Sequence, residues 1–541
     1  MLILAYWLIV ACGQEAPPKA KVSKSQALIK ETQSGHLQGA WANEQEGIQV
    51  FRGVPFAQPP VGDLRWRPPM PVEPWKNVKS AERFGPACYQ AFSEDAFVWS
   101  RGQFERSEDC LYLNIWAKAE TPAPLPVMVW FHGGAHTGGF AHVELFDGKA
   151  LARKDVLLVT VNYRLGPWGF LAHPALSAES DKDSSGNYGL LDKIAALQWV
   201  QDNIEAFGGD ASNVTIFGQS AGSMSVCALM ASPLAEGLFH KAIGQSAACF
   251  NRYTRDPSGE ARGIKLAKFL LPDQAKISAK DLRSIDSDQL LRAATDSGWD
   301  RGGGLIAVDG WVLPEAPQTT FAKGKQAKIP VLLGSLANEG IELLPLNERL
   351  TEPQFDAYLD QRFDELATPI KQAYEAERLI STGLAQRSIE TDLFMALPMR
   401  RWAAYQAAIG MPSYLYFMDY VPPAYQIYRA DQPNLDLPGG PRSAGAYHSG
   451  DLAFVFNNVG KTGDFWNEDD LTMANRISDY WTGFAKTGDP NRHDQPTWGP
   501  YAASTHNTMM LNLTGEQIPG ALREKVDLLA AAMGALNKNK N

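Results

Sequence analysis

The sequence is poor in cysteine, with five in 541 residues, and none forms a Cys-x-x-Cys pair. Structural zinc modules and thioredoxin-like redox pairs therefore have no support. An excess of basic charge is also missing: 50 Lys and Arg stand against 60 Asp and Glu, for a net charge of −10. That balance argues against nucleic acid as a partner and serves solubility. No internal repeat, low-complexity tract or interior linker divides the chain. What is there is ordinary for a well-cored globular protein, 45% hydrophobic and 20% charged.

The N-terminal apolar run, Met1 to Val10, is too short to span a bilayer but suits a secretory leader. It lacks the Lys or Arg that usually precedes such a run. Ile9-Val10-Ala11-Cys12 resembles a bacterial lipobox, which makes Cys12 the candidate lipidation site, and Gln14 to Gln26 has the composition of a tether. Residues 1–26 are therefore expected to be a leader and tether. The chain is expected to be exported, as a periplasmic or outer-membrane-anchored lipoprotein or as a secreted protein, with membrane attachment only through Cys12. An exported chain can pair Cys88 with Cys110 across the polar, aromatic loop between them. Cys227 and Cys249 read as small buried residues.

Residues 27–541 read as one large α/β domain. Pro126 to Phe131 and Val156 to Tyr163 are short, nearly continuous apolar runs that suit strands buried on both faces. Gly186 to Phe207 has helical spacing and stops at Gly208-Gly209. Val214 to Phe217, Lys241 to Gln245 and Ile329 to Gly334 continue the alternation. Strand and helix in turn imply a large, mainly parallel central sheet with helices on both faces.

Val214 to Phe217 runs into Gly218-Gln219-Ser220-Ala221-Gly222, the only Gly-x-Ser-x-Gly of the chain. At a strand-to-helix junction this pattern is a nucleophile elbow, with the serine held out at the sheet edge. A serine needs a base, and the base needs a carboxylate to fix its tautomer. His240, His448, His493 and His506 follow Ser220. His240 leaves no room for an acid before it, and His493 and His506 lie in polar C-terminal loops. His448 sits in a small-residue loop, Ala444 to Asp451, as a base delivered over a sheet edge requires. Glu339, just past the strand ending at Gly334, is the carboxylate in the right place.

Trp130-Phe131-His132-Gly133-Gly134-Ala135-His136 follows an apolar strand and fits an oxyanion loop, with Gly134, Ala135 and Ala221 as N–H donors. His132 and His136 invite a zinc reading, but no Glu follows His132 and the two glycines oppose a helix, so no metal is expected.

With these segments in order, the chain resembles the type-B carboxylesterases, the carboxylesterase/cholinesterase branch of the α/β-hydrolases, in a bacterial form. The resemblance runs from about Gly53 to Tyr501. It includes Gly53-Val54-Pro55-Phe56-Ala57, Ser107-Glu108-Asp109-Cys110-Leu111-Tyr112-Leu113-Asn114, Asn162-Tyr163-Arg164-Leu165-Gly166 and Trp481-Thr482-Gly483-Phe484-Ala485. It implies an α/β-hydrolase fold, Ser220 as nucleophile, Glu339 as acid, His448 as base, a Cys88–Cys110 disulfide and no cofactor. Arg65 and Glu108 resemble the family's structural ion pair.

Gln219 stands where cholinesterases carry Glu, which argues against a quaternary-ammonium substrate. Trp99 resembles the cholinesterase choline-stacking Trp, offset by one residue, and is read here as lining an apolar pocket. The expected function is hydrolysis of a small or medium organic ester through an acyl-enzyme. Amide or carbamate hydrolysis by the same triad is the alternative. A non-catalytic adhesion module is opposed by the presence of all three triad residues. Oligomeric state is left open.

Overall fold

In the computed structural model, the structure describes residues 28–538 apart from 94, 96, 251–257, 300–304, 341–349, 430, 433 and 436. The proposed leader and Cys12 lie outside the described residues.

One sheet of eleven strands organises the chain. In chain order these are β1 (Ala40–Asn43), β2 (Ile48–Pro55), β3 (Tyr112–Lys118), β4 (Leu125–Phe131), β5 (Leu157–Val161), β6 (Gly209–Gln219), β7 (Lys241–Gln245), β8 (Val331–Leu336), β9 (Ser413–Met418), β10 (Asn507–Leu511) and β11 (Gln517–Pro519). Their order across the sheet is β11-β10-β9-β8-β7-β6-β4-β5-β3-β2-β1. From β5 to β10 every neighbouring pair is parallel, and antiparallel strands flank both sides.

Strands β5, β7 and β8 are buried at every position, as parallel strands covered on both faces must be. Two large apolar clusters cover them. One gathers Val127, Val129, Ile216, Leu197 and Trp402; the other gathers Met128, Trp130, Phe217, Phe456 and Trp481. Among the helices are α1 (Tyr188–Asn203), α2 (Ala221–Ala231), α3 (Leu397–Ala408) and α4 (Glu468–Thr487). Helix α1 occupies most of the span read from its spacing, with a 3₁₀ turn at Ile204–Phe207 and Gly208 closing it at φ 88°. Strand β6 starts five residues before the apolar run at Val214, because Gly209 and Asp210 already pair with Leu125 and Pro126.

The chain passes from β4 to β5 on one side, then crosses back to place β6 on the other side of β4. The carboxyl ends of β4 and β6 therefore flank a topological switch point, where open α/β sheets form their ligand crevices.

Cys88 and Cys110 are bonded, and so are Cys227 and Cys249. The second bridge corrects the reading of Cys227 and Cys249 as free buried residues. Both are buried, but Cys227 lies on α2 and Cys249 follows β7, and helix α2 packs on that strand. Packing brings their Cα atoms to 5.6 Å, within bridging distance. Arg65 donates from Nε to Glu108 Oε2 at 2.8 Å, and its Nη1 reaches the Ile285 carbonyl at 2.6 Å. The pair anchors the Cys88–Cys110 loop to a distant segment.

Candidate active site

Ser220 is the single residue between β6 and α2, and its backbone sits at φ 56°, ψ −124°. A non-glycine residue there stores about 1–3 kcal/mol of strain. The surrounding contacts hold it: Ser220 N–H donates to the Gln245 carbonyl at 2.9 Å, at the end of β7. The flanking glycines are required by close approach. A Cβ on Gly222 would overlap the Phe131 carbonyl oxygen, and one on Gly218 would meet the backbone of Gly222. Strand β6, helix α2 and the end of β4 are in backbone contact around the serine.

The loop after β4 supplies N–H groups. Gly134, Ala135 and His136 all have positive φ, at 101°, 55° and 61°. A β-branched residue could not follow that path. The backbone N–H groups of Gly134, Ala135 and Ala221 donate to no acceptor among the described residues. Below the loop, Tyr163 donates its hydroxyl to the His132 carbonyl at 2.6 Å, and the His132 ring stacks on it at 4.4 Å. Lys193, fully buried on α1, lies 3.0 Å from the centre of the Tyr163 ring. Burial pushes the Lys193 ammonium well below its usual range and the His132 imidazole down to about 3. His136 Nε2 contacts Ser225 Oγ at 2.9 Å and is likewise held well below its usual value by burial. The two histidine rings thus serve separate partners.

His448 Nδ1 lies 2.6 Å from Glu339 Oε2, with both side chains buried. The other carboxylate oxygen, Glu339 Oε1, accepts from the Leu336 N–H at 2.6 Å. Both partners ride on loops, and Asn338 ties these together. Its N–H donates to the Ala446 carbonyl, and its Oδ1 accepts from the Ala446 N–H, each at 2.9 Å. On its far side, His448 Nε2 faces Gln219 Nε2 at 3.1 Å. The fixed Nδ1–H leaves Nε2 as the lone-pair nitrogen, turned toward the residue beside Ser220.

Sequence reading missed a buried relay under this cluster. Gln245, whose carbonyl holds Ser220, donates from Nε2 to Asp451 Oδ2 at 2.7 Å, and Trp481 Nε1 donates to its Oε1 at 3.3 Å. Burial pushes the Asp451 carboxyl up to about 6. The three-residue step from His448 to Asp451 in His448-Ser449-Gly450-Asp451 was the available signal. Trp99 lies 5.8 Å from the His448 ring, so it borders the cluster. Gln219, Trp99 and Glu339 all contact His448, and Gly133 packs against Gln219 and Ser220, whereas His240 caps the start of Val214 through Nδ1 at 3.1 Å.

Comparison with known proteins settles the relationship. The family model described as the carboxylesterase family matches residues 26–528. The chain belongs to the carboxylesterase family. Among its relatives, the fumonisin B1 esterase of Sphingopyxis macrogoltabida is 36% identical over 505 residues, covering 90% of this chain and 87% of that one. The para-nitrobenzyl esterase of Bacillus subtilis (strain 168) is 35% identical over 499 residues, covering 90% and 94%. Among solved structures, the carboxylesterase of Geobacillus stearothermophilus superposes with a TM-score of 0.78 at 31% identity, covering 93% of this chain and all of the other. The fold is that of the α/β-hydrolases, and the protein is a serine carboxylic-ester hydrolase. Like other members of the carboxylesterase family, it acts on small-molecule esters.

Proposed function

We propose that Ser220 is the nucleophile of this hydrolase, His448 its general base and Glu339 the carboxylate that orients the base. The observation that carries this reading is the 2.6 Å contact between His448 Nδ1 and Glu339 Oε2 beside a serine at φ 56°. Ser220 Oγ attacks the ester carbonyl while His448 Nε2 takes its proton. The oxyanion collects the N–H groups of Gly134, Ala135 and Ala221. His448 then protonates the departing alcohol, and water releases the acid by the reverse sequence. The free N–H groups and the positive-φ loop support the oxyanion assignment.

Two relatives carry names that refer to para-nitrobenzyl and fumonisin B1 esters. By that likeness the substrate is a small to medium organic ester rather than an amide or carbamate. An organophosphate probe is expected to label one serine per chain, with labelling and aryl-ester hydrolysis both lost in Ser220→Ala. Full activity of that variant would overturn the assignment, and faster turnover of an anilide than of its matched ester would favour the amide reading.

Residues 27–541 are proposed to act as one catalytic domain, since the strands of one sheet run from Ala40 to Pro519. Export with lipidation at Cys12 is a further proposal. It is supported by the lipobox-like run and by two disulfides, which suit an oxidising compartment. Labelled palmitate should enter the full chain and not the Cys12→Ala variant. Among the described residues no helix is long and apolar enough to cross a membrane.

A further inference from the structure

The Cys88–Cys110 loop sets a charged group beside the loop that follows β4. Two residues past Trp99, Arg101 lays its guanidinium against the Cα of Gly138, where a Cβ would overlap Nη1. Gly138 belongs to the oxyanion loop, and its N–H donates to the Gly134 carbonyl at 3.0 Å. Arg101 Nη1 donates to Gln90 Oε1 at 3.2 Å, and the same oxygen accepts from the Gly139 N–H at 2.7 Å. Trp99 and Tyr428 complete this wall, their rings 5.9 Å apart, with Trp99 5.8 Å from His448.

Among the described residues the cation has no counter-charge. Among the described residues no carboxylate lies within ion-pair distance of Arg101, and its one side-chain partner is the neutral Gln90 oxygen. Other arginines of the neighbourhood are paired: Arg65 with Glu108, Arg106 with Asp288, Arg164 with Asp192 and Arg429 with Asp431. Among the described residues Arg101 Nε, Trp99 Nε1 and Tyr428 Oη are buried and have no hydrogen-bond partner. These are three neighbouring donors without an acceptor among the described residues, one of them cationic, and an anion is the group that would satisfy them. Burial lowers the Arg101 pKa, yet a guanidinium stays charged in proteins. Leaving a partly buried cation unpaired is costly, and a carboxylate received in fork geometry offsets that cost. The side chain next to the nucleophile, Gln219, is neutral and does not repel such a group.

We propose that Arg101, with Trp99 and Tyr428, forms a subsite for a carboxylate carried by the ester substrate. The subsite rests on the assignment of Ser220 and His448 above, and it narrows the substrate to half-esters and other esters with a free carboxylate. The charge can sit on the alcohol or on the acyl side, and two matched pairs separate these. Phenyl acetate against 4-carboxyphenyl acetate tests the alcohol side. Methyl butyrate against methyl hydrogen succinate tests the acyl side.

The readout is the ratio of kcat/KM for the anionic over the neutral member, in wild type, Arg101→Gln and Arg101→Lys. In at least one pair, Arg101→Gln should lower that ratio by about 10- to 100-fold, and Arg101→Lys should restore part of it. If both ratios stay unchanged while all rates fall together, Arg101 merely pins Gln90 and the oxyanion loop, and the subsite is overturned. In wild type, benzoate should inhibit hydrolysis of a neutral ester more strongly than benzyl alcohol, a result independent of any variant's folding. Equal inhibition by the two also counts against the subsite. Retained activity of Ser220→Ala on phenyl acetate would instead reject the triad assignment on which the subsite depends.

Discussion

The amide nitrogen of Gln219 lies 3.1 Å from Nε2 of His448. Gln219 therefore donates to the lone pair that the proposed mechanism uses to take the Ser220 proton. It is a neutral rival for that lone pair, and it brings no carboxylate to the Nε2 side of the ring. Gln219→Glu adds a charge in direct reach of His448 and favours its protonated form. The acidic limb of the kcat/KM profile for a neutral aryl ester should move up, by about one pH unit. An unmoved limb would show that the side chain at 219 does not sense the base.

Glu339→Gln keeps the shape of the side chain and removes its charge. Oriented to satisfy the Leu336 N–H, its amide can no longer stabilise the protonated His448. The expected loss in kcat is about 10³- to 10⁴-fold, with KM changed far less. The thermal midpoint should stay within a few degrees, so stopped activity in a folded variant is the discriminating result.

Gly222→Ala tests the elbow itself. A Cβ at Gly222 collides with the Phe131 carbonyl, which is backbone and cannot rotate away. Strand β4 and helix α2 would have to separate, breaking the junction that holds Ser220. Soluble, active Gly222→Ala protein would contradict the close approach described above.

His132 predicts an acid-sensitive fold. The folded chain keeps it neutral down to about 3, chiefly by burial, whereas an unfolded chain protonates it near pH 6.5. Acid therefore favours the unfolded state. The stabilisation is whole above pH 6.5 and is lost as pH falls toward 3. Buried His136 acts in the same direction. In His132→Gln, the slope of unfolding free energy against pH between 6 and 4 should drop by up to about 1.4 kcal/mol per pH unit. Urea titrations at several pH values measure it, and an unchanged slope would assign the acid sensitivity elsewhere.

The sheet, the elbow and the pairing of Glu339 with His448 were legible because each leaves a local mark. Buried parallel strands read as unbroken apolar runs, the elbow needs glycines on both sides of its serine, and the oxyanion loop needs small residues after its strand. The Cys227–Cys249 bridge left no such mark, since its partners meet only when α2 packs against β7. The same holds for Gln245 with Asp451, and for Asn338 clamping the Glu339 and His448 loops together. Leu452–Val455 is a single helical turn, too short for periodicity to reveal. Arg101 reads as a loop arginine until the fold sets it on Gly138, with no carboxylate among the described residues in ion-pair distance.

The parts of the crevice come from widely separated points of the chain: the loop after β4, the turn after β6, the turn after β8, and only then His448. During synthesis, a nascent chain that has emerged as far as β9 holds the proposed nucleophile, oxyanion donors and carboxylate, but no base. The enzyme is thus inert for most of its own translation and gains its chemistry in one of the last steps of chain growth. A chain cut short before residue 448 would carry the complete elbow and remain unable to turn over an ester.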